Sequence, residues 1–332
     1  MINKLYVHIE TETDPVHNLA VENILLENVE EGSCILYLWQ NRKTVVIGKN
    51  QNLWAQCRPE ILEYEGGKAV RRLSGGGAVY HDMGNLNFTF LTHKTDYDTA
   101  KQTDVVLKAV SELGIKAEKT GRNDLTTADG RKFSGHAYYK SGSNCYHHGT
   151  IMVDVDSDAL SRYLTVSADK LKGKGVDSVR SRVVNLVQLV PEITIDSLKA
   201  AMINAFESVY GMKSEMLPDG FIDNEKTAEK MAFFASDSFR LGSNMSFDLT
   251  AKKRFGWGGV EISLAVTGGV VNDAVCYSDA MRGDVLSQVA DAIKGCRFEA
   301  ASLSENICNI PTDEEGKSIL ADIAGMLREE II

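Results

Sequence analysis

Three consecutive glycines, Gly75-Gly76-Gly77, lie between the apolar pair Ala69-Val70 and the strand-like Ala78-Val79-Tyr80. Glycine weakens a β-strand, so three in succession mark a tight loop where something comes close to the main chain. Exposed N–H groups in such a loop form a cradle for an anion. Arg71 and Arg72, just before it, add fork-shaped donors suited to phosphate or carboxylate. The spacing matches neither the dinucleotide pattern GxGxxG nor the phosphate loop GxxxxGK[ST]. On these residues alone, a phosphate site and a flexible glycine turn stand level.

Around this loop the chain alternates β-like and helical runs. Asp14-Pro15 starts a helix, with Leu19, Ala20, Ile24 and Leu25 at helical spacing. The apolar runs 34–39 and 44–47, separated by Gln40-Asn41-Arg42, predict a hairpin. Further strands are expected over 87–91, 124–127, 132–138 and 146–155, with Ala128-Asp129-Gly130 turning between the second and third. Helices are expected over 105–113, 195–209 and 225–234. After residue 240 the pattern restarts with a hairpin, 259–266 and 270–277 joined at Gly268-Gly269. Two or three helices follow, the last opening at Thr312 with Asp313, Glu314 and Glu315 favouring its N-terminus. The expected class is α+β: a large domain over 1–243, with mixed and antiparallel sheets flanked by helices, and a small α+β C-terminal domain over 250–332.

A formal net charge of −10 over 332 residues argues against a broad nucleic-acid-binding face. No run approaches the ~20 apolar residues that span a bilayer, and no signal-like segment opens the chain, so a cytoplasmic protein without membrane association is expected. The six cysteines are scattered and form no CxxC pair, which reads as reduced core thiols.

Three more clusters carry chemistry. Asn123-Asp124 supplies oxygen donors suited to Mg²⁺, and Lys132, between Arg131 and Phe133, points opposite to its neighbours on a strand. Alone, Lys132 is better read as an exposed strand lysine. His147 and His148 are adjacent on a strand and face opposite sides, so they cannot easily share a metal; one of them facing a ligand is the expected use. From Arg162 to Arg182 there are six basic and two acidic residues around Gly173 and Gly175, a segment suited to closing over a polyanion.

Taken together these segments resemble lipoate–protein ligase A, of the biotin and lipoate protein ligase superfamily. The resemblance rests on Arg71-Arg72-Leu73-Ser74-Gly75-Gly76-Gly77-Ala78-Val79-Tyr80-His81-Asp82 through Asn85, on Gly121-Arg122-Asn123-Asp124-Leu125, and on Arg131-Lys132-Phe133-Ser134-Gly135. It continues through His147-His148-Gly149-Thr150, Lys174-Gly175-Val176-Asp177-Ser178-Val179-Arg180-Ser181-Arg182, and Arg254-Phe255-Gly256-Trp257-Gly258-Gly259, the last like the opening of an accessory domain. His136 and Tyr139 depart from the family pattern, which often has a small residue and an arginine there. Tryptophans usual at the domain junction are also absent from 238–242.

The resemblance implies an enzyme that uses ATP and Mg²⁺ to turn lipoate into lipoyl-AMP and then acylates a lysine. Acceptors would be lipoyl domains of 2-oxoacid dehydrogenase complexes or the glycine-cleavage H protein, and the enzyme itself a monomer. Lys132 would be catalytic. Arg72, Ser74, Gly75, Gly76, Gly77, Ala78, Val79, Tyr80, Asn85, Asn123, Asp124, His148, Gly149, Lys174 and Arg180 would bind the nucleotide or lipoyl-AMP, with Asp124 at the metal. The alternative is a lipoyl or octanoyl transferase using a pre-activated donor through a cysteine thioester. No cysteine lies between Gly121 and Tyr139, and Cys145 is the nearest. A biotin ligase or a non-catalytic lipoate binder would be less consistent with the glycine loop and with the intact Lys132, Asn123 and Asp124.

Overall fold

The computed structural model describes residues 1–121, 123–165, 183–241 and 248–330. The chain forms two compact units. One comprises Met1–Val46, Gln56–Val70 and Val79–Ser236, and the other Ile47–Ala55, Arg71–Ala78 and Asp237–Ile332.

Before residue 240 the strands are β1 (Lys4–Ile9), β2 (Ser33–Trp39), β3 (Thr44–Ile47), β4 (Lys68–Arg71), β5 (Val79–His81), β6 (Asn85–His93), β7 (Ala117–Thr120), β8 (Asp124–Thr127), β9 (Lys132–Ser141), β10 (Asn144–Met152) and β11 (Ser214–Met216). Eight form one mixed sheet in the order β11-β1-β2-β6-β10-β9-β8-β7. Within it β1 runs parallel to β2 and β11, and the remaining pairs are antiparallel. A second, three-stranded sheet has the order β4-β3-β5. The helices here are α1 (Pro15–Asn28), α2 (Leu53–Gln56), α3 (Pro59–Tyr64), α4 (Thr99–Glu112), α5 (Ser157–Tyr163), α6 (Ile195–Tyr210) and α7 (Asn224–Ala235).

Asp14 caps α1 as its sequence predicts, its Oδ1 accepting the Val16 N–H at 2.8 Å with Pro15 in the first turn. The helix is then buried almost all round, from Asn18 to Leu26. Helices α4 and α6 instead bury one stripe each, Val105, Val106, Ala109 and Val110 on α4 and Leu198, Met202 and Phe206 on α6. These meet Leu36, Leu38, Phe88 and Phe90 of the sheet in one core, each such side chain stabilising the fold by about 1.5–3 kcal/mol.

The hairpin expected over 34–39 and 44–47 is not formed: β2 and β3 belong to different sheets. Both edges of β2 are taken, by β1 on one side and β6 on the other, so the chain must leave the sheet after Trp39. Lys43, with φ of 40°, makes the turn away. The hairpin over 124–138 forms as expected, with Gly130 at φ 81° in its turn.

The second unit has its own three-stranded meander, β12 (Leu249–Phe255), β13 (Gly258–Thr267) and β14 (Val270–Ser278). Helices α8 (Asp237–Arg240), α9 (Gly283–Ile293), α10 (Ala300–Cys308) and α11 (Glu314–Glu330) accompany it. Ile262, Leu264, Leu286, Leu320 and Ile323 are fully or nearly fully buried in a separate core. The α+β class with a mixed sheet is thus as expected. Among the described residues no helix is long and apolar enough to cross a membrane. Replacing the capping residue, Asp14→Ala, is expected to lower the unfolding free energy by about 1–2 kcal/mol, read by urea denaturation.

Candidate active site

In the second unit the triple glycine forms a compact loop. Gly76 has φ 91° and donates its N–H to the Ala280 carbonyl at 2.9 Å. A Cβ on Gly75 would come within 2.6 Å of that same carbonyl, whereas one on Gly77 would meet nothing within 4 Å. A Cβ on Gly48 would overlap the Gly76 carbonyl oxygen. The first two glycines therefore let main chain approach main chain, and Gly77 is the member with open space beside it.

The two arginines have distinct partners. Arg71, 4% exposed, spends its guanidinium on carbonyls, donating to Gln51 at 2.6 Å, Lys49 and Phe239 at 2.8 Å, and Arg240 at 3.1 Å. Burial brings its pKa down to about 10, and among the described residues no carboxylate pairs with it. It is a brace for the loop, not the phosphate donor that its place in the sequence suggests. Arg72, 6% exposed, donates from Nε to Ser74 Oγ at 2.9 Å and from Nη2 to the carbonyls of Gly75 and Gly77 at 2.6 and 2.9 Å. Ser74 is buried, and its carbonyl accepts the Lys49 N–H at 2.8 Å. Ala78 ends the loop.

In the first unit, Val79 and Tyr80 continue into β5 opposite Val46 and Val45. The Tyr80 ring lies 5.6 Å from that of Tyr163, and Asn85, on β6, donates to Asn87 at 2.8 Å. Lys132 opens β9 and reaches Asp124 of β8, Nζ to Oδ1 2.7 Å, with both side chains 37% exposed. Oδ1 itself is buried and poorly directed for a hydrogen bond, so this contact is chiefly electrostatic. Gly135 makes room for it, since a Cβ there would meet Lys132 Nζ at 2.9 Å. The Lys132 carbonyl accepts the Val184 N–H at 2.9 Å, which fixes the strand from the far side. Asn123 is joined to His136 twice, its carbonyl accepting the His136 N–H at 2.7 Å and its Nδ2 donating to the His136 carbonyl at 3.3 Å. Thus Asn123, Asp124 and Lys132 come together as expected. A Cβ on Gly149 would press on Phe88 at 2.5 Å and on the Gly135 carbonyl at 2.8 Å.

The adjacent histidines face opposite sides, as strand alternation requires. His148 Nδ1 lies 2.8 Å from Oε1 of Glu22, a residue of α1 that is 2% exposed. Thr89 Oγ1 donates to the same oxygen at 2.7 Å and accepts from Trp39 Nε1 at 3.1 Å. His147 turns the other way, toward Gln102 of α4 at 3.1 Å and His136 at 2.9 Å. Sequence reasoning missed Glu22, Thr89 and Trp39, and singled out His136 only as a departure from the family pattern. A glutamate inside the apolar run Leu19-Ala20-Val21-Glu22-Asn23-Ile24 was the available signal, because a buried carboxylate needs partners. Among the described residues no group of three or more His, Cys, Asp or Glu could hold a metal by itself. Cys145 is buried in β10, and burial pushes its thiol pKa up. Lys174 and Arg180 lie outside the described residues.

The lipoyl protein ligase A/B catalytic domain family model matches residues 14–207. The chain belongs to this family. A model of the bacterial lipoate protein ligase C-terminus matches residues 244–327, and with both parts present the chain is a ligase. LipL1 of P. falciparum, solved in complex with lipoate, is 26% identical with a TM-score of 0.85, over 98% of this chain and 99% of that one. A bi-partite lipoate protein ligase of Thermoplasma acidophilum, described with its E2 lipoyl domain, is 24% identical with a TM-score of 0.64, over 75% of this chain and 100% of that one. A lipoate-protein ligase A bound with ATP is 23% identical with a TM-score of 0.62, over 73% and 99%. These last two share the fold.

Two outcomes follow for the ligase. Gly48→Ala should displace the glycine loop and destabilise the chain by about 1–3 kcal/mol, measured by urea unfolding. Burial holds His136 down to about 3 and His147 well below its usual value. The unfolded chain protonates these rings below about 6.5 while the folded chain refuses the proton, so stability should fall as pH drops from 6.5 toward about 4.5, above the range where carboxylates titrate. Unfolding curves at several pH values, compared with those of His147→Asn, should show the slope and its reduction.

Proposed function

We propose that this ligase is an ATP-dependent lipoate–protein ligase. A lipoate carboxylate oxygen attacks the α-phosphorus of ATP, the bond to the β-phosphate oxygen breaks, and pyrophosphate leaves with lipoyl-AMP formed. The ε-amine of an acceptor lysine then attacks the acyl carbon, the acyl–phosphate bond breaks, AMP leaves with the electron pair, and the amine gives up a proton. The observation that carries this reading is Lys132, an ammonium held on a doubly anchored strand with Asp124 as its only described ion partner. A fixed ammonium stabilises charge developing on carboxylate and phosphate oxygens at no cost in reorganisation. Lipoate in complex with LipL1, and ATP bound to lipoate-protein ligase A, support the two substrates.

The remaining roles follow the resemblance. Ser74, Gly75, Gly76, Gly77, Ala78, Val79, Tyr80, Asn85, Asn123, His148 and Gly149 take the nucleotide or lipoyl-AMP, with Arg72 near the carboxylate and phosphates. Asp124 would hold Mg²⁺, because its Oδ1 is buried without a directed hydrogen bond and a magnesium that keeps its waters and shares phosphate oxygens needs few protein ligands. Bound there, the ion would neutralise phosphate charge. Asn123 holds the turn beside it. The T. acidophilum pairing supports lipoyl domains as acceptors, those of 2-oxoacid dehydrogenase complexes or the glycine-cleavage H protein. We assign catalysis to residues 1–243 and an accessory role to 250–332, in a cytoplasmic monomer. The thioester alternative gains nothing from Cys145, whose buried thiol is poorly ionised.

Purified protein should release pyrophosphate from ATP only when lipoate is added. Lys132→Met should lower that rate by about 10²–10³-fold, while Cys145→Ser should leave it unchanged. No lipoate-dependent release from the unaltered protein would end this reading.

A further inference from the structure

We propose that His136 and His147 form a buried, uncharged imidazole pair that positions the Asn123–Asp124 turn against Lys132. The inference rests on the ligase reading above and adds to it residues that touch no substrate.

The hydrogen bonds run in one direction. Gln102 Oε1 can only accept, so His147 carries its proton on Nδ1, 3.1 Å away. Its Nε2 is then an acceptor, and the group facing it at 2.9 Å, His136 Nδ1, must be the donor. That leaves His136 Nε2 to accept from Ser134 Oγ at 3.1 Å. The chain Ser134–His136–His147–Gln102 thus ties β9 to β10 and to α4 with one proton per contact. All four side chains are buried. The edge of the Phe88 ring meets both imidazoles, at centroid distances of 5.3 and 5.7 Å, and closes the site to water.

What this chain anchors is the point of β9 where the catalytic groups rest. The main chain of His136 makes both bonds to Asn123, the residue next to Asp124. The preceding residue, Gly135, is the surface over which the Lys132 side chain lies. Fixing the His136 ring therefore fixes the separation of the two charged groups. The pair acts through Asn123 and Asp124, so it bears on the step that handles ATP phosphates more than on transfer to the acceptor. Groups that position ligating residues in this way typically matter by about 10–100-fold in activity.

The test uses two full-length variants. His136→Leu fills similar space without a donor, and His136→Asn keeps one, its amide nitrogen replacing ring Nδ1. Each is assayed for lipoate-dependent ATP–pyrophosphate exchange and for transfer from synthetic lipoyl-AMP, per folded molecule. His136→Leu should lower kcat/KM for ATP about tenfold, leave KM for lipoate unchanged and leave transfer within about twofold, and His136→Asn should restore exchange. Equal losses in both half-reactions, equal losses in both variants, or no loss in His136→Leu would overturn the proposal. Nitrogen-15 spectra at pH 7 add a readout independent of activity. Both rings should be neutral and protonated on Nδ1, and an Nε2-protonated ring at either position would overturn the pair. If the unaltered protein shows no exchange, the ligase reading fails while the spectra still decide the pair.

Discussion

The antiparallel pairing of β9 with β8 on one side and β10 on the other is the interaction on which the proposed site of this chain depends. It sets Asp124 and Lys132 at ion-pair distance, brings Gly135 under the lysine and lays Gly149 against the Gly135 carbonyl. A slip of one residue in β9 would turn Lys132 to the opposite face and bring Phe133 out of the core. The irregular register between Leu125 and Thr126 lets β9 keep Phe133 buried while Lys132 stays accessible.

Both faces of the large sheet carry buried polar side chains, and these need partners there. Under α1 the partners are Glu22, Thr89, Trp39 and His148, and under α4 they are Gln102, His147 and His136. The ring nitrogens that bind one another and their partners have defined neighbours, while the buried Nε2 of Gln102 has no hydrogen-bond partner among the described residues. Partly satisfied networks cost more than apolar packing, so these two sets restrict which side chains their positions accept.

Much of this was legible in the sequence. The glycine run, the Asp14 cap, the 128–130 turn and the opposite orientations of His147 and His148 follow from local rules and are as the residues suggest. The site roles of the glycine loop and of Lys132 came from resemblance, since spacing alone left the loop open and favoured an exposed strand lysine at Lys132. What escaped was non-local. Nothing in Cys34–Trp39 announces that both its edges are occupied, so its separation from β3 could not be read from alternation. Arg71 and Arg72 look equivalent on paper, yet one braces carbonyls of residues 49, 51, 239 and 240 while the other holds its own loop. Glu22 hid inside a helix buried all round, where periodicity carries little information.

The glycine loop has a consequence for how the protein is made. Its contacts run to Gly48, synthesised early, but also to Ala280, synthesised late, and Arg71 beside it reaches the late residues Phe239 and Arg240. A nascent chain can complete the large sheet, whose last strand ends at Met216, well before those residues leave the ribosome. The loop must therefore wait, and the newborn enzyme has an assembled sheet before its glycine loop has its full set of contacts.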